Sequence, residues 1–209
     1  MWKVKKAVPK PFQLNGGHPA LDLVNTLDMR FTGENIELLP TYGELLRFAV
    51  QAEVLTAEQA RSLARTASPA RAQQVLAAIW ELREALASVL YAWADGSKPP
   101  GKQVAIIERH FQAAAQHRRL RVEGAHLDWA WSGNSGIEVE LPLWKLAQAA
   151  SDLLTSSDAN SIKDCGDPTC RWLFLDVSKN HTRRWCNMKT CGNRMKARRF
   201  QARRQDAAL

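Results

Sequence analysis

The first 164 residues of this 209-residue chain contain no cysteine, and all four cysteines lie in the 27 positions that follow. The chain also lacks any apolar run near the ~18 residues that a membrane span needs, so we expect no membrane association. The basic residues 1–12 have no apolar segment behind them, so we expect no secretory signal. Four thiols without an export signal favour a reducing compartment and a metal site.

Motifs of the common enzyme classes are missing from residues 13–160. This part contains no Walker loop, no dinucleotide-binding glycine pattern, no His-Glu-x-x-His and no Gly-x-Ser-x-Gly. The composition is ordinary for a globular protein, with 45% hydrophobic and 24% charged residues, and it excludes wholesale disorder. We therefore predict a folded protein that is not an enzyme.

The net charge of +8 is distributed unevenly along the chain. Residues 1–160 contain 17 basic and 17 acidic side chains, whereas residues 161–209 contain 12 basic and 4 acidic ones. The surplus therefore lies beside the cysteines, where it indicates an anionic partner. A polar stretch at 156–160 marks the boundary, so we predict a basic lead-in (1–12), a neutral domain (13–160) and a cysteine-containing domain (161–209).

Apolar residues recur at helical spacing through most of the neutral domain. The predicted helices span residues 21–31, 41–54, 56–67, 69–94, 104–116 and 142–154. Alternating residues on both sides of Gly124 predict a short β-hairpin over 120–131, and a turn at 133–136 precedes a third strand or a helix lead-in at 137–141. Five tryptophans are expected in the core rather than around a ligand, namely Trp80, Trp93, Trp129, Trp131 and Trp144.

The cysteines form two pairs, with four residues inside each pair and fifteen between the pairs. The four are Cys165, Cys170, Cys186 and Cys191. This spacing suits one Zn²⁺ held by four thiolates, which leave no open position for water and make the site structural. Two disulfides, four unrelated buried thiols, and iron or an iron–sulfur cluster are the alternatives.

The segment between the pairs is predicted to form a β-hairpin with strands at 172–175 and 183–185, and a helix follows Cys191. A knuckle, a hairpin and a helix in this order are typical of treble-clef fingers. The predicted fold is therefore mainly α with small β elements: a helical N-terminal domain with a short hairpin, then a treble-clef-like four-cysteine zinc finger. About 45 residues bury too little surface to fold alone, so the metal should supply much of the folding free energy.

No acidic residue occurs between Arg194 and Gln205, a stretch with five arginines and one lysine. At about 100° per residue, Arg194 and Arg198 share one helix face, whereas Lys196, Arg199 and Arg203 share another. A solvated face would normally mix signs, so the pattern favours nucleic acid over mere solubility or an acidic protein partner. The candidate DNA-binding residues are Lys179, His181, Arg183, Arg184, Asn193, Arg194, Lys196, Arg198, Arg199, Arg203 and Arg204.

Two stretches of the sequence resemble a bacterial protein family. Cys170-Arg-Trp-Leu-Phe-Leu-Asp-Val-Ser-Lys-Asn, Arg183-Arg184-Trp185-Cys186 and Cys191-Gly192-Asn193-Arg194 resemble the CGNR zinc finger, which is named after its last four residues. Upstream, Gly17, the run Leu21-Asp22-Leu23-Val24-Asn25-Thr26, and Arg30 resemble the ABATE domain that accompanies this finger. The resemblance covers nearly the whole chain. It implies a transcription regulator of the bacterial cytoplasm with a DNA-binding finger.

The predicted function is a zinc-dependent DNA-binding transcription regulator whose partner is double-stranded DNA. Its neutral domain is expected to sense a small-molecule effector or to form a homodimer. Asn25, Thr26 and Arg30 are the candidate effector-binding residues, because Arg30 suits a small anion. The alternative for these residues is that they cap the helix and connect it to its neighbours. An RNA-binding accessory protein, and a redox or metal sensor acting through the four cysteines, are the alternative functions.

Overall fold

Seven helices and three short strand pairs make up the computed structural model of the chain, which describes residues 10–131 and 138–206. The helices are α1 (Pro19–Val24), α2 (Tyr42–Gln51), α3 (Ala57–Thr66), α4 (Pro69–Ala94), α5 (Gly101–Ala115), α6 (Leu141–Thr155) and α7 (Asn193–Asp206). The antiparallel strand pairs are β1 (Leu27–Asp28) with β2 (Ile36–Glu37), β3 (Arg118–Glu123) with β4 (His126–Trp131), and β5 (Ile162–Asp164) with β6 (Leu173–Leu175). The predicted class, mainly α with small β elements, is confirmed.

Helices α2, α3 and α4 begin where their capping residues stand. Thr41, Thr56 and Ser68 each accept a hydrogen bond from the backbone N–H three positions further on. At Thr56 the side-chain Oε1 of Gln59 also accepts a hydrogen bond from the Thr56 backbone N–H (3.0 Å), which completes a capping box. These bonds pair N–H groups that the helix itself leaves unpaired, so the local sequence fixes each start.

The first helix is shorter than the sequence predicts, because it ends at Val24 instead of continuing to residue 31. Asn25 caps it, and the chain then enters the short strand β1. Phe31, the last apolar residue of the predicted helix, instead lies under the guanidinium of Arg171, with 4.5 Å between Arg171 Cζ and the ring centroid. Phe31 therefore contacts a residue 140 positions away along the chain and does not form part of an apolar helix face.

The main core lies between α1, α2, α4 and α6. Leu21, Leu82 and Leu146 are among its fully buried side chains. Leu173 and Leu175 of strand β6 belong to the same core, although they lie between the two cysteine pairs in the sequence. The finger therefore shares its apolar core with the helical part instead of folding beside it.

The predicted hairpin is formed by β3 and β4, and Gly124 occupies the turn with a φ of +60°. At its base, Trp131 packs against Trp144 of α6, with ring centroids 6.4 Å apart. Trp144 is buried as expected, but Trp129 and Trp93 are 52% and 37% exposed, so their prediction as core residues is wrong. The sequence pattern could not show this, because apolar alternation marks a sheet face without identifying what covers it.

The predicted turn at 133–136 and the start of the segment 137–141 lie outside the described residues. Residues 138–140 form a turn that leads into α6, not a strand. Among the described residues, no helix combines the length and the apolar character that crossing a membrane requires.

Asp22 is a buried acid on α1, only 6% exposed, and its Oδ1 accepts a hydrogen bond from the backbone N–H of Gly16 (2.8 Å). Burial raises the pKa of the Asp22 carboxyl to about 6, and the single hydrogen bond offsets this only in part. The folded-state pKa thus lies above the unfolded value of 3.8, so the ionised carboxylate costs stability above pH 6.

Asp22→Asn is therefore expected to stabilise the protein at pH 7.5. The shift corresponds to about 2–3 kcal/mol in the free energy of unfolding, provided that the amide oxygen keeps the bond to Gly16. The gain should shrink as pH falls through 6 and disappear below about 4, where both states bind the proton. Denaturant unfolding of wild type and variant side by side at several pH values measures the difference. A difference that does not change with pH would contradict the assignment.

Candidate metal centre and basic helix

The four cysteines predicted as metal ligands converge on one point. Their Sγ atoms all lie within 4.8 Å of one another. The Sγ atoms of Cys170 and Cys186 are 3.6 Å apart, and those of Cys186 and Cys191 are 3.7 Å apart. Four sulfurs around one zinc at ~2.3 Å have edges of ~3.8 Å, so the cluster has the size of a tetrahedral zinc site. The cysteines are thus positioned to hold one metal ion.

The electrostatics of the cluster also fit a cation. Hydrogen bonds from the Cys170 and Cys186 thiols hold the pKa of Cys165 far below its usual range, with further backbone N–H bonds from Cys186 and Asp167. The interaction with Cys165 raises the pKa of both Cys170 and Cys186. Four thiolates cannot share this space without a positive ion, and Zn²⁺ bound there would keep all four ionised and order the surrounding loops.

The first cysteine pair occupies a tight loop between β5 and β6. The backbone N–H of Cys165 donates to the carbonyl of Trp172 (2.9 Å), and that of Cys170 donates to the carbonyl of Asp167 (2.9 Å). Trp172 and Phe174 are buried against the cysteines, and the partly buried Trp185 packs on the same cluster. The loop thus places the sulfurs of Cys165 and Cys170 in a cluster with three aromatic side chains.

The second pair ends in a single π-helical turn, Met188–Gly192, which continues into α7. The side chain of Asn187 accepts from the backbone N–H of Lys189 (2.8 Å) and begins the turn. A Cβ atom on Gly192 would collide with Met188 Sδ and lie 3.2 Å from Trp185 Cδ1. A larger residue at position 192 would therefore require the Met188 side chain to move.

The finger contains a β-hairpin and a helix, but the hairpin uses a different strand from the one predicted. Residues 173–175 pair with residues 162–164, upstream of Cys165, and not with residues 183–185. The hairpin therefore encloses the first cysteine pair. Residues 183–185, which we call the returning segment, are instead joined to the loop of the first cysteine pair by a backbone hydrogen bond from the Gly166 N–H to the carbonyl of Arg184 (2.9 Å).

Side-chain hydrogen bonds replace the missing ladder on the returning segment. Asp176 is fully buried and accepts from Lys163 Nζ (2.6 Å), from Ser178 and from the backbone N–H of Arg183 (3.0 Å). Burial alone would raise the pKa of Asp176, but these donors outweigh it and hold the pKa well below its ordinary value. The Arg183 guanidinium donates to three backbone carbonyls, those of Leu175, Trp185 and Cys186.

A second buried acid fixes one face of the basic helix. Asp167 is 0% exposed, its Oδ2 lies 2.9 Å from Arg194 Nε, and its Oδ1 lies 3.2 Å from Arg198 Nη1. Arg194 Nη2 also lies 3.5 Å from Cys191 Sγ. The Arg194–Arg198 face thus turns toward the metal centre. Sequence reasoning missed Asp167 and Asp176, although Asp-x-Thr and Asp-x-Ser are patterns typical of Asx-turns.

The other face of α7 points away from the metal centre. Lys196, Arg199 and Arg203 are exposed, and none forms an ion pair with an acidic side chain in the described part of the chain. At about 100° per residue their mean direction lies about 150° around the helix from Arg194 and Arg198. We call these three residues the outer basic face.

The remaining DNA-binding candidates differ in how they are used. Lys179 and His181 are exposed on the turn, and Arg184 is exposed in the segment that follows, where it lies over the Trp185 ring at 5.5 Å. Within α7, Asn193 donates to the carbonyl of Lys189 (3.1 Å), and Arg204 lies 5.8 Å from the Phe200 ring. Of the two adjacent arginines, Arg183 is thus turned inward and Arg184 outward.

The effector candidates Asn25, Thr26 and Arg30 form contacts within the protein, although the buried Arg30 Nε has no hydrogen-bond partner in the described residues. Thr26 Oγ1 donates to the carbonyl of Leu23 (2.6 Å), and Arg30 pairs with Glu84 on α4. Asn25 Nδ2 donates to the carbonyl of Leu173 (2.9 Å), and Asn25 Oδ1 accepts from the Leu173 N–H (2.9 Å). These contacts support the alternative that the three residues connect α1 to neighbouring elements. Effector binding by the three residues stays a prediction.

Further contacts join the finger to the helical part at Arg171 and Trp172, which directly precede strand β6. The Trp172 indole donates to Asp28 Oδ1 (2.7 Å), and the Tyr91 hydroxyl donates to the carbonyl of Arg171 (2.9 Å). The Arg171 guanidinium pairs with Asp95 at 3.3 Å. The finger is therefore held in one orientation relative to the helices.

A cleft of about 460 Å³ opens between the helical part and the finger. Its lining includes Arg47, Trp172 and Arg194, together with the metal ligands Cys170, Cys186 and Cys191. Cys170 is half-buried, whereas the other three cysteines are buried. The predicted alternative of a redox sensor would act through this cleft, and it stays a prediction.

Two family profiles match the chain in succession. The profile of the ABATE family, described as "Putative stress-induced transcription regulator", matches residues 17–157. The profile of the CGNR zinc finger matches residues 161–204. No curated protein matches the chain. The chain therefore belongs to the ABATE family and carries a CGNR zinc finger after its ABATE region.

Proposed function

We propose that this protein regulates transcription by binding double-stranded DNA through its zinc-dependent finger. The observation that carries the proposal is the outer basic face, formed by Lys196, Arg199 and Arg203. On the opposite face of the same helix, Arg194 and Arg198 pair with Asp167. Three exposed cations on one side of a helix, unpaired within the described chain, suit the phosphates and base edges of a major groove.

The position of the helix supports the same proposal. Helix α7 has 14 residues, so it is about 21 Å long and can lie in a major groove about 12 Å wide. Its Arg194–Arg198 face is fixed to the metal centre through Asp167, so the outer basic face is on the side away from the metal centre. Lys179 on the turn and Arg184 on the segment that follows are both exposed and would add phosphate contacts beside the helix.

The helical part is the proposed site of regulation. Because Asn25 and Arg171 hold the finger to it, an effector or a second subunit bound there would shift the orientation of α7. The proposed location of the protein is the bacterial cytoplasm, because that compartment contains the chromosome.

The triple variant Lys196→Ala, Arg199→Ala, Arg203→Ala should weaken duplex DNA binding about 10- to 100-fold at low salt. It should also reduce the slope of log affinity against log salt by up to about 3, because each lost phosphate contact removes about 0.9. Fluorescence anisotropy with a labelled duplex, measured over a salt series on the zinc-loaded protein, gives both quantities.

A charge-matched control removes three exposed cations from the helical part: Arg61→Ala, Arg65→Ala, Lys98→Ala. This variant should retain both the affinity and the salt slope of the wild type. Equal weakening in both triple variants would mean that only net charge matters. Tighter binding to a single-stranded RNA of the same length would favour the RNA-binding alternative.

A further inference from the structure

The β3–β4 hairpin has one strongly apolar face that the described chain leaves uncovered. The strand register places Leu120 opposite Trp129 and Val122 opposite Leu127, so the four side chains lie on the same side. They are 58%, 52%, 71% and 65% exposed, in that order. We call these four residues the apolar ribbon face.

The opposite side of the hairpin has the features of a water-facing surface. Arg121 stands opposite Asp128, and Glu123 stands opposite His126. Arg121 also donates to Glu123 (2.7 Å). Because this side mixes both signs and pairs them, the period-two alternation of the strands separates a polar face from an apolar one, as in a sheet that packs on one side.

Such a hairpin requires a partner for its apolar side. A two-stranded sheet is marginally stable in water, and it becomes stable when its apolar face packs against something. From the exposed fractions, the four side chains present on the order of 400 Å² of apolar surface, which is the size of the largest apolar patch on a typical monomer and is often functional.

We propose that the apolar ribbon face is the interface of a homodimer, in which it packs against the same face of a second copy. Two copies would bury on the order of 800 Å² through these side chains. A standard interface buries about 1,200–2,000 Å² in total, and about 65% of a homodimer interface is apolar. The patch therefore supplies most of the apolar area that a small two-fold interface needs, and self-pairing requires no other surface to match it.

The charges around the face fit a protein partner better than an anionic one. Arg118, which lies two positions before Leu120 on the same side of strand β3, is over the Trp129 ring at 4.4 Å and over the Trp131 ring at 5.8 Å. A phosphate or an anionic lipid surface would need cations that are free to reach it. The inference concerns the helical part alone and holds whether or not α7 binds DNA, so the two proposals can fail independently.

The test is the mass of the zinc-loaded full chain in solution. Sedimentation velocity at 1–100 µM should give twice the chain mass of 23.4 kDa for the wild type. The variant Val122→Glu, Leu127→Lys changes the apolar face, keeps the net charge, and allows a cross-strand ion pair because the two positions are opposite. It should sediment as a monomer, with dimerisation weakened at least about 100-fold.

The matched control, Arg121→Glu, Asp128→Lys, exchanges an opposite pair on the polar side of the same strands and should stay dimeric. Far-UV circular dichroism should be the same for all three proteins. A monomeric wild type at 100 µM, or a dimer unaffected by the apolar-face variant, would overturn the proposal. An equal loss of dimerisation in the apolar-face variant and the control variant would also overturn it. A monomeric wild type that floats with vesicles containing phosphatidylglycerol would assign the face to a lipid surface instead.

Discussion

Replacing Cys191 by serine will release the metal, unfold the finger and destabilise the helical part with it. Metal binding supplies about 10–16 kcal/mol of apparent folding free energy in isolated zinc fingers. Here strand β6 lies between the two cysteine pairs and inserts Leu173 and Leu175 into the main core. Once the loops around the metal lose their order, that strand loses its anchorage, and the core loses two buried side chains.

We expect a loss of at least about 5 kcal/mol in the free energy of unfolding, which is a fall of about 10–20 °C in Tm for a chain of this size. Bound zinc should fall from one ion per chain to none, measured by elemental analysis. The neighbouring exposed Thr190→Ser provides the control and should retain both zinc and Tm. If the helical signal of the metal-free variant melts at the wild-type temperature, the finger and the helical part do not share their stability.

The sequence predicted the features that depend on neighbouring residues. The cysteine pairs, the helix starts near residues 41, 56 and 69, and the hairpin around Gly124 are all determined within a few positions, and the structure has each of them. The same holds for α7, whose long basic run forms a helix directly after Cys191.

The errors arose where distant residues decide the structure. Residues 183–185 read as a strand, but the buried Asp176 and the Arg183 guanidinium occupy the groups that a ladder would use. The two faces of α7 could be assigned from spacing alone. Which of them faces the metal depends on Asp167, an acid that local pattern does not distinguish from a surface residue.

The role of Asn25 shows the same limit most clearly, since its partner is 148 positions away. From the sequence it was a candidate for effector binding. In the structure its amide forms two hydrogen bonds with the backbone of Leu173, as a neighbouring strand would, and the side chain is only 3% exposed. This pairing connects the end of α1 to the finger.

Asn25→Ala should therefore cost about 2–5 kcal/mol of stability, because it leaves a buried N–H and a buried C=O of Leu173 without partners. The corresponding fall in Tm is about 5–15 °C, measured by calorimetry on the zinc-loaded protein without any added ligand. Asn15→Ala is the matched control at the same junction. It removes one side-chain bond, to Asn187 (3.1 Å), at a half-exposed position and should cost less than about 1 kcal/mol. If Asn25→Ala is equally mild, its amide does not hold the finger, and the effector-binding interpretation regains its support.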